Sequence, residues 1–216
     1  MKKPAKRTYD STSRRDAAQA RRRSIIDSAR QIFLHNGYAA TTMPAIANAA
    51  GTALDTVYAT VGKKAALFRL LIEMAISGQD EAVPAEARDY VRAIRAEPGA
   101  ERKLQLYAAA LRAIQPRLAP LIRVLHEAAP LDPELDLLWQ TISRRRAANM
   151  QLLAKDLAAT GRLRSDLTQS KTADIIWSMN SPEFYLLLVD QRGWSPEEYE
   201  IWLADAWIRL LLEPER

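Results

Sequence analysis

Glycine is scarce in this chain, and where it falls decides what can fold. Of the 7 glycines in 216 residues, those at 37, 51 and 62 close successive segments that carry apolar residues at helical spacing. Glycine enters the left-handed turn that ends a helix without the steric penalty other residues meet. The stretch "TTMPAIANAAGTALDTVYATVGKKAAL", Thr41 to Leu67, therefore reads as two short helices about a tight turn, followed by a helix that opens on Lys-Lys. Two lysines at a helix start face a backbone dipole that is already positive. That placement calls for an anion.

A helix from about Gln19 to Asn36 precedes this pair, with Ile25, Ala29, Ile32 and Phe33 on one stripe and Gly37 as its stop. Thr42 is suited to cap the second helix, with Pro44 in the first turn and Ile46, Ala47 and Ala50 facing inward. Thr52 is read as the start of the third, with Asp55 as its capping-box partner and Val57, Tyr58 and Val61 at helical spacing.

The remainder also reads as all-α. The chain is 48% hydrophobic, its apolar residues recur three or four apart, and no window alternates as a strand. Met1 to Ala18 is polar and aperiodic, which suggests a flexible basic arm. Beyond Lys64 the pattern predicts helices to about Ser77, to Ala96, over Glu101 to Gln115, Pro116 to Ala129 and Pro133 to Thr160. Another runs from Gln169 to Gln191 with a kink or break at Pro182, and a last one from the Ser195 cap to Leu212. The expected organisation is an arm (1–18), a helix-turn-helix domain (19–67) and a helical body (68–216).

Charge is unevenly placed. Through Arg69 there are 13 basic and 4 acidic side chains, so the rest is net acidic within a total of +5. A basic end on an acidic body suits a polyanion such as DNA, and it also suits a solubilising tail. The absence of cysteine excludes disulfides and thiolate metal sites and fits a cytoplasmic protein. No signal peptide is read at the start, and no apolar run approaches the ~20 residues of a membrane span. His35 and His126 are the only histidines, and there is no Gly-rich phosphate loop. No catalytic residue, metal site or cofactor is therefore expected, and the chain does not read as an enzyme. The paired Glu197 and Glu198 lie in a first helical turn, where the dipole favours them.

Three helices with a Gly turn between the second and third form a helix-turn-helix unit, whose short third helix fits a major groove about 12 Å wide. The run "IIDSARQIFLHNGYAATTMPAIANAAGTALDTVYATVGKKAALF" resembles the N-terminal domain of the TetR family of transcriptional regulators. The match rests on Ala29 and Phe33, Gly37-Tyr38, Thr42, Ile46-Ala47, Ala50-Gly51, Thr56-Val57-Tyr58, and Lys64 with Ala66-Leu67. This resemblance implies that Lys64 and Tyr58 contact DNA phosphates, and Lys63 is added by its position. Thr42 joins them because a cap with free amides behind it forms an anion site. Base reading would fall to Pro44, Thr52, Ala53, Leu54, Asp55, Ala59 and Thr60, with Thr56 completing the candidate surface. The set is poor in bidentate donors, so direct readout is thin. The sequence departs from the family at "VGKK", where an aromatic and a capping Ser or Asn are usual.

For the body, the resemblance implies a homodimer formed by the last two long helices, with Trp202, Ala206, Arg209 and Leu210 along one side. It also implies an internal pocket for a small-molecule effector. Polar or amphipathic residues within apolar runs are the candidates for it: Tyr107, His126, Trp139, Asn149, Met150, Trp177, Asn180 and Tyr185. The implied function is a ligand-responsive repressor bound as a homodimer to a palindromic operator in double-stranded DNA. The alternative is a helical ligand-binding or adaptor protein whose DNA-binding head has lapsed.

Overall fold

The computed structural model describes residues 11–214, with side chains from Arg14. The described chain is helical, apart from a single bridge between Leu163 and Leu212. It divides into two compact units, one ending at Phe68 and the other starting at Arg69.

The first unit holds α1 (Ser11–Ala40), α2 (Met43–Ala49), α3 (Leu54–Val61) and the start of α4 (Lys64–Ser77). The segment 11–18, expected within the arm, is instead helical and belongs to α1. Arg14, Arg15, Ala17 and Ala18 have good helix propensity and extend a helix nucleated by the packed stripe behind them. The rest of the expected arm, residues 1–10, lies outside the described residues. The regular course of α1 breaks at Gly37, whose φ of 73° is open to glycine at little cost. Ile25, Ala29, Phe33, Ile46, Val57, Leu67 and Phe68 are buried together. Phe33 stacks on Tyr38 at 5.7 Å and meets Phe68 edge-on at 4.9 Å, which locks the end of α1 to the start of α4.

The second unit contains the rest of α4, α5 (Asp89–Ala96), α6 (Ala100–Ala128), α7 (Pro133–Ala158), α8 (Gln169–Met179), α9 (Pro182–Tyr185) and α10 (Pro196–Leu211). After Tyr185 the chain widens into π-type turns from Leu186 to Gln191. The two helices expected on either side of Pro116 are one, since α6 runs through both Pro116 and Pro120. Each internal proline costs about 3 kcal/mol. The buried stripe Leu104, Ala108, Leu111, Gln115, Ala119 and Ile122 crosses both positions and holds the helix together. The segment expected from Gln169 to Gln191 does break before Pro182, where Ser181 caps α9 through the Phe184 amide. At α10 the Ser195 hydroxyl and the Glu198 carboxylate cap each other's backbone amides. Trp207, Tyr199, Leu203 and Leu211 on α10 are fully buried in a core with α6, α7 and α8.

Candidate nucleic-acid interface and ligand cavity

Thr42 sits in extended backbone ahead of α2, and its Oγ1 accepts the Ala45 amide at 3.2 Å. Its neighbour Thr41 is buried, and the Thr41 hydroxyl donates to the Gly37 carbonyl at 2.7 Å, which fixes the approach. After α2 the chain turns at Gly51, where φ is 62°, and the Thr52 amide returns to the Ala47 carbonyl at 3.0 Å. The expected capping box at Thr52 does not form. Ala53 takes the cap position without any side-chain bond, and Asp55 remains as a first-turn carboxylate favoured by the dipole.

The inner face of α3 is Val57 and Val61, both buried. Ala53, Asp55, Tyr58 and Ala59 are exposed on the opposite side, with Tyr58 showing 44% of its surface. Leu54, Thr52, Thr56 and Thr60 are half-buried between the two faces. Thr60 donates its hydroxyl to the Thr56 carbonyl at 2.6 Å, so it presents chiefly its methyl. Thr42, Pro44 and Lys63 are exposed and Lys64 is half-buried, so none of the sequence-derived DNA-facing residues lies in the core.

Two ties that the sequence did not reveal hold this surface to α1. Arg22 donates to the Thr60 carbonyl at 3.4 Å near the end of α3, and Ser24 donates to the Ala50 carbonyl at 3.3 Å at the turn. Lys64 turns its ammonium onto the Tyr38 ring, 4.2 Å from the centroid, and donates to the Ala39 carbonyl at 3.5 Å. A cation at a helix N-terminus is thus held by a ring face and a carbonyl at the end of α1.

The second unit holds a partly open cavity of about 500 Å³, within the size range of small-molecule sites. Tyr107, Trp139, Asn149, Met150 and Asn180 lie on its wall. His126, Trp177 and Tyr185 do not, which corrects the sequence reading. His126 packs edge-on against Trp139 at 4.0 Å with Glu183 3.3 Å away. Trp177 lies under the Arg146 guanidinium at 4.6 Å, and Tyr185 meets Tyr199 edge-on at 5.1 Å.

The wall also includes Arg88, Tyr90, Gln115 and Arg146, which the sequence reading missed. Gln115 was legible in principle, since it falls on the apolar stripe of α6, but a helix broken at Pro116 hides that register. Burial lowers the pKa of Arg146 and pushes the Tyr107 hydroxyl well above its ordinary value near 10, with Tyr90 adding to the rise. Tyr107 therefore stays protonated.

On α10, Trp202 stacks on Phe184 at 5.6 Å and meets Trp194 edge-on, Ala206 is half-buried, and Arg209 is paired with Asp205 at 2.8 Å. Leu210 and, more fully, Ile201 at 70% are exposed. Among the described residues no cluster of metal-ligating side chains occurs, and no helix is long and apolar enough to cross a membrane.

The family model described as "Bacterial regulatory proteins, tetR family" matches residues 25–71, the span from the α1 stripe into α4. No curated protein matches the sequence. Among solved structures, NalD, the secondary repressor of the MexAB-OprM multidrug efflux pump in Pseudomonas aeruginosa, aligns over 93% of this chain and 100% of its own. It does so at 20% identity with a TM-score of 0.71. SmeT in complex with triclosan aligns over 92% of this chain and 99% of its own, at 18% identity and 0.61. A transcriptional regulator from Saccharomonospora viridis in complex with choline aligns over 89% and 98%, at 17% identity and 0.65. At these identities the likeness is one of fold. The head, whose α3 leaves its outer face open, is thus similar to the N-terminal domain of the TetR family of regulators, and the all-helical body shares the fold of these solved regulators.

Proposed function

We propose that this chain is a TetR-family regulator, a ligand-responsive repressor that binds a palindromic operator as a homodimer. A single observation carries the reading. Ile76 of α4 lines the cavity, and the same helix opens on Lys64 at the candidate phosphate surface. A ligand that displaces Ile76 acts on the helix that also carries Lys64, and a coupling of ~1 to 3 kcal/mol suffices to release DNA.

Dimerisation would set two α3 helices about one DNA turn apart and multiply modest single-site affinities. The exposed Ile201 and Leu210, beside Trp202 and Ala206, give α10 an apolar outer stripe suited to a second copy. The proteins of like fold solved with triclosan and with choline support a small-molecule effector in the helical body.

The test is a mobility shift at low salt with the DNA upstream of the protein's own gene, repeated as salt is raised. A salt-sensitive complex of two chains per site is expected. Failure to retain any duplex at low salt would remove the reading.

A further inference from the structure

Gln115 is 1% exposed, and its Nε2 donates to the Asn180 backbone carbonyl at 2.9 Å. Because the group facing a carbonyl must carry hydrogen, this contact fixes which end of the amide is which. The other end, Oε1, has no hydrogen-bond partner among the described residues. Asn180 is 2% exposed and donates from Nδ2 to the Tyr107 hydroxyl at 2.7 Å and to Met150 Sδ at 3.0 Å, and its Oδ1 is also unpartnered. All four side chains border the cavity. Buried acceptors without donors are rare in native proteins, and Gln115 Oε1, fixed in orientation, marks a place beside the cavity where a donor is missing.

The charge on the same wall is positive. Arg88 is 9% exposed and is held by neutral acceptors, the Val83 carbonyl at 3.0 Å and the Tyr90 hydroxyl at 3.4 Å. Arg95, Arg145 and Arg146 also line the cavity, with Arg145 paired with Glu73 at 2.8 Å; the wall's carboxylates are Glu86 and Asp156, the latter paired with the buried Lys103 at 2.7 Å. Elsewhere the wall is apolar, with Ile94, Leu111, Ile142 and Leu153.

We propose that the cavity selects an uncharged, largely apolar molecule bearing a hydroxyl that donates to Gln115 Oε1, and that its arginines turn away permanent cations. This rests on the reading of the cavity as the effector site. The hydroxyl gives Oε1 the donor it lacks, and a ligand without that group leaves Oε1 buried and unpaired, so discrimination is steep. A quaternary ammonium would enter a space whose wall carries four arginines against two carboxylates.

The test is calorimetric titration of the full chain with 4-hexylphenol, with 4-hexylanisole, which keeps the shape but lacks the donor, and with 4-hexyl-N,N,N-trimethylanilinium. The phenol is expected to bind roughly tenfold or more tightly than the ether, with no measurable binding of the cation. In Gln115→Met the phenol-to-ether ratio falls to about one while both still bind. The ratio compares two ligands on one protein, so a general loss of stability does not move it. If the variant does not fold, the wild-type ratio decides alone.

Equal affinity for phenol and ether, an undiminished ratio in Q115M, or cation binding as tight as the phenol overturns the proposal and leaves the effector reading standing. The expected ratio without any release of bound DNA overturns the effector reading and leaves this one standing. Binding of none of the three overturns both.

Discussion

The ammonium of Lys64 lies 4.2 Å from the centre of the Tyr38 ring and 3.5 Å from the Ala39 carbonyl oxygen. The end of α1 thus holds the first residue of α4, at the corner where the sequence departs from the family pattern. A DNA phosphate beside this helix start would add an anionic acceptor for the ammonium. Lys64→Ala is expected to weaken binding to all duplexes alike and to lower the slope of log affinity against log salt by roughly one. Filter binding across a salt series measures it, and an unchanged slope removes Lys64 from the interface.

Thr42 carries two roles that one pair of variants separates. Thr42→Ala loses the bond to the Ala45 amide and should cost ~1 kcal/mol in urea unfolding, together with some DNA affinity. Thr42→Asp keeps a capping oxygen and restores stability, but brings an anion toward a phosphate and should bind DNA less well than Thr42→Ala. Equal DNA affinity in the two variants would make Thr42 a cap only.

On α10, Ile201→Arg and Leu210→Glu place charge on the exposed apolar stripe without touching the core. Sedimentation velocity should show the wild-type protein as a dimer and each variant shifted toward the monomer, with an unchanged circular-dichroism spectrum. Variants that sediment as the wild type does would place any self-association elsewhere.

Alkaline stability should depend on Tyr107. Burial holds its pKa above the ordinary value near 10, so between these values the unfolded chain releases a proton that the folded chain keeps. Its stabilising contribution is complete below pH 10 and is lost as pH rises toward the folded value. Thermal melts of Tyr107→Phe should therefore fall less steeply with pH above 10 than those of the wild type. Parallel curves would refute this. Tyr199, raised by the same cause, supplies a residual slope in both.

The head was legible because its signals are local. Gly37, Gly51 and Gly62 each adopt positive φ at the stops assigned to them, and Thr42 makes the cap that its side chain allows. The error at Thr52 is one of register. A Thr followed three residues later by Asp reads as a capping box, yet the turn leaving Gly51 places Ala53 at the cap. In the body the signals are long-range. Proline at 116 and 120 outweighs the apolar stripe in any local window, although packing along that stripe decides the outcome. Trp177 and Tyr185 fit the composition of a pocket wall, but only the tertiary fold sends one beneath Arg146 and the other against Tyr199.

The unbroken course of α6 has a mechanical side. Pro116 and Pro120 have no amide hydrogen, so the rungs that would reach the Arg112 and Pro116 carbonyls are missing. Gln115, which borders the cavity, stands within the first of those gaps. The side chain proposed to meet a guest is therefore mounted on a stretch of the beam that lacks two of its rungs, where a push meets less backbone resistance.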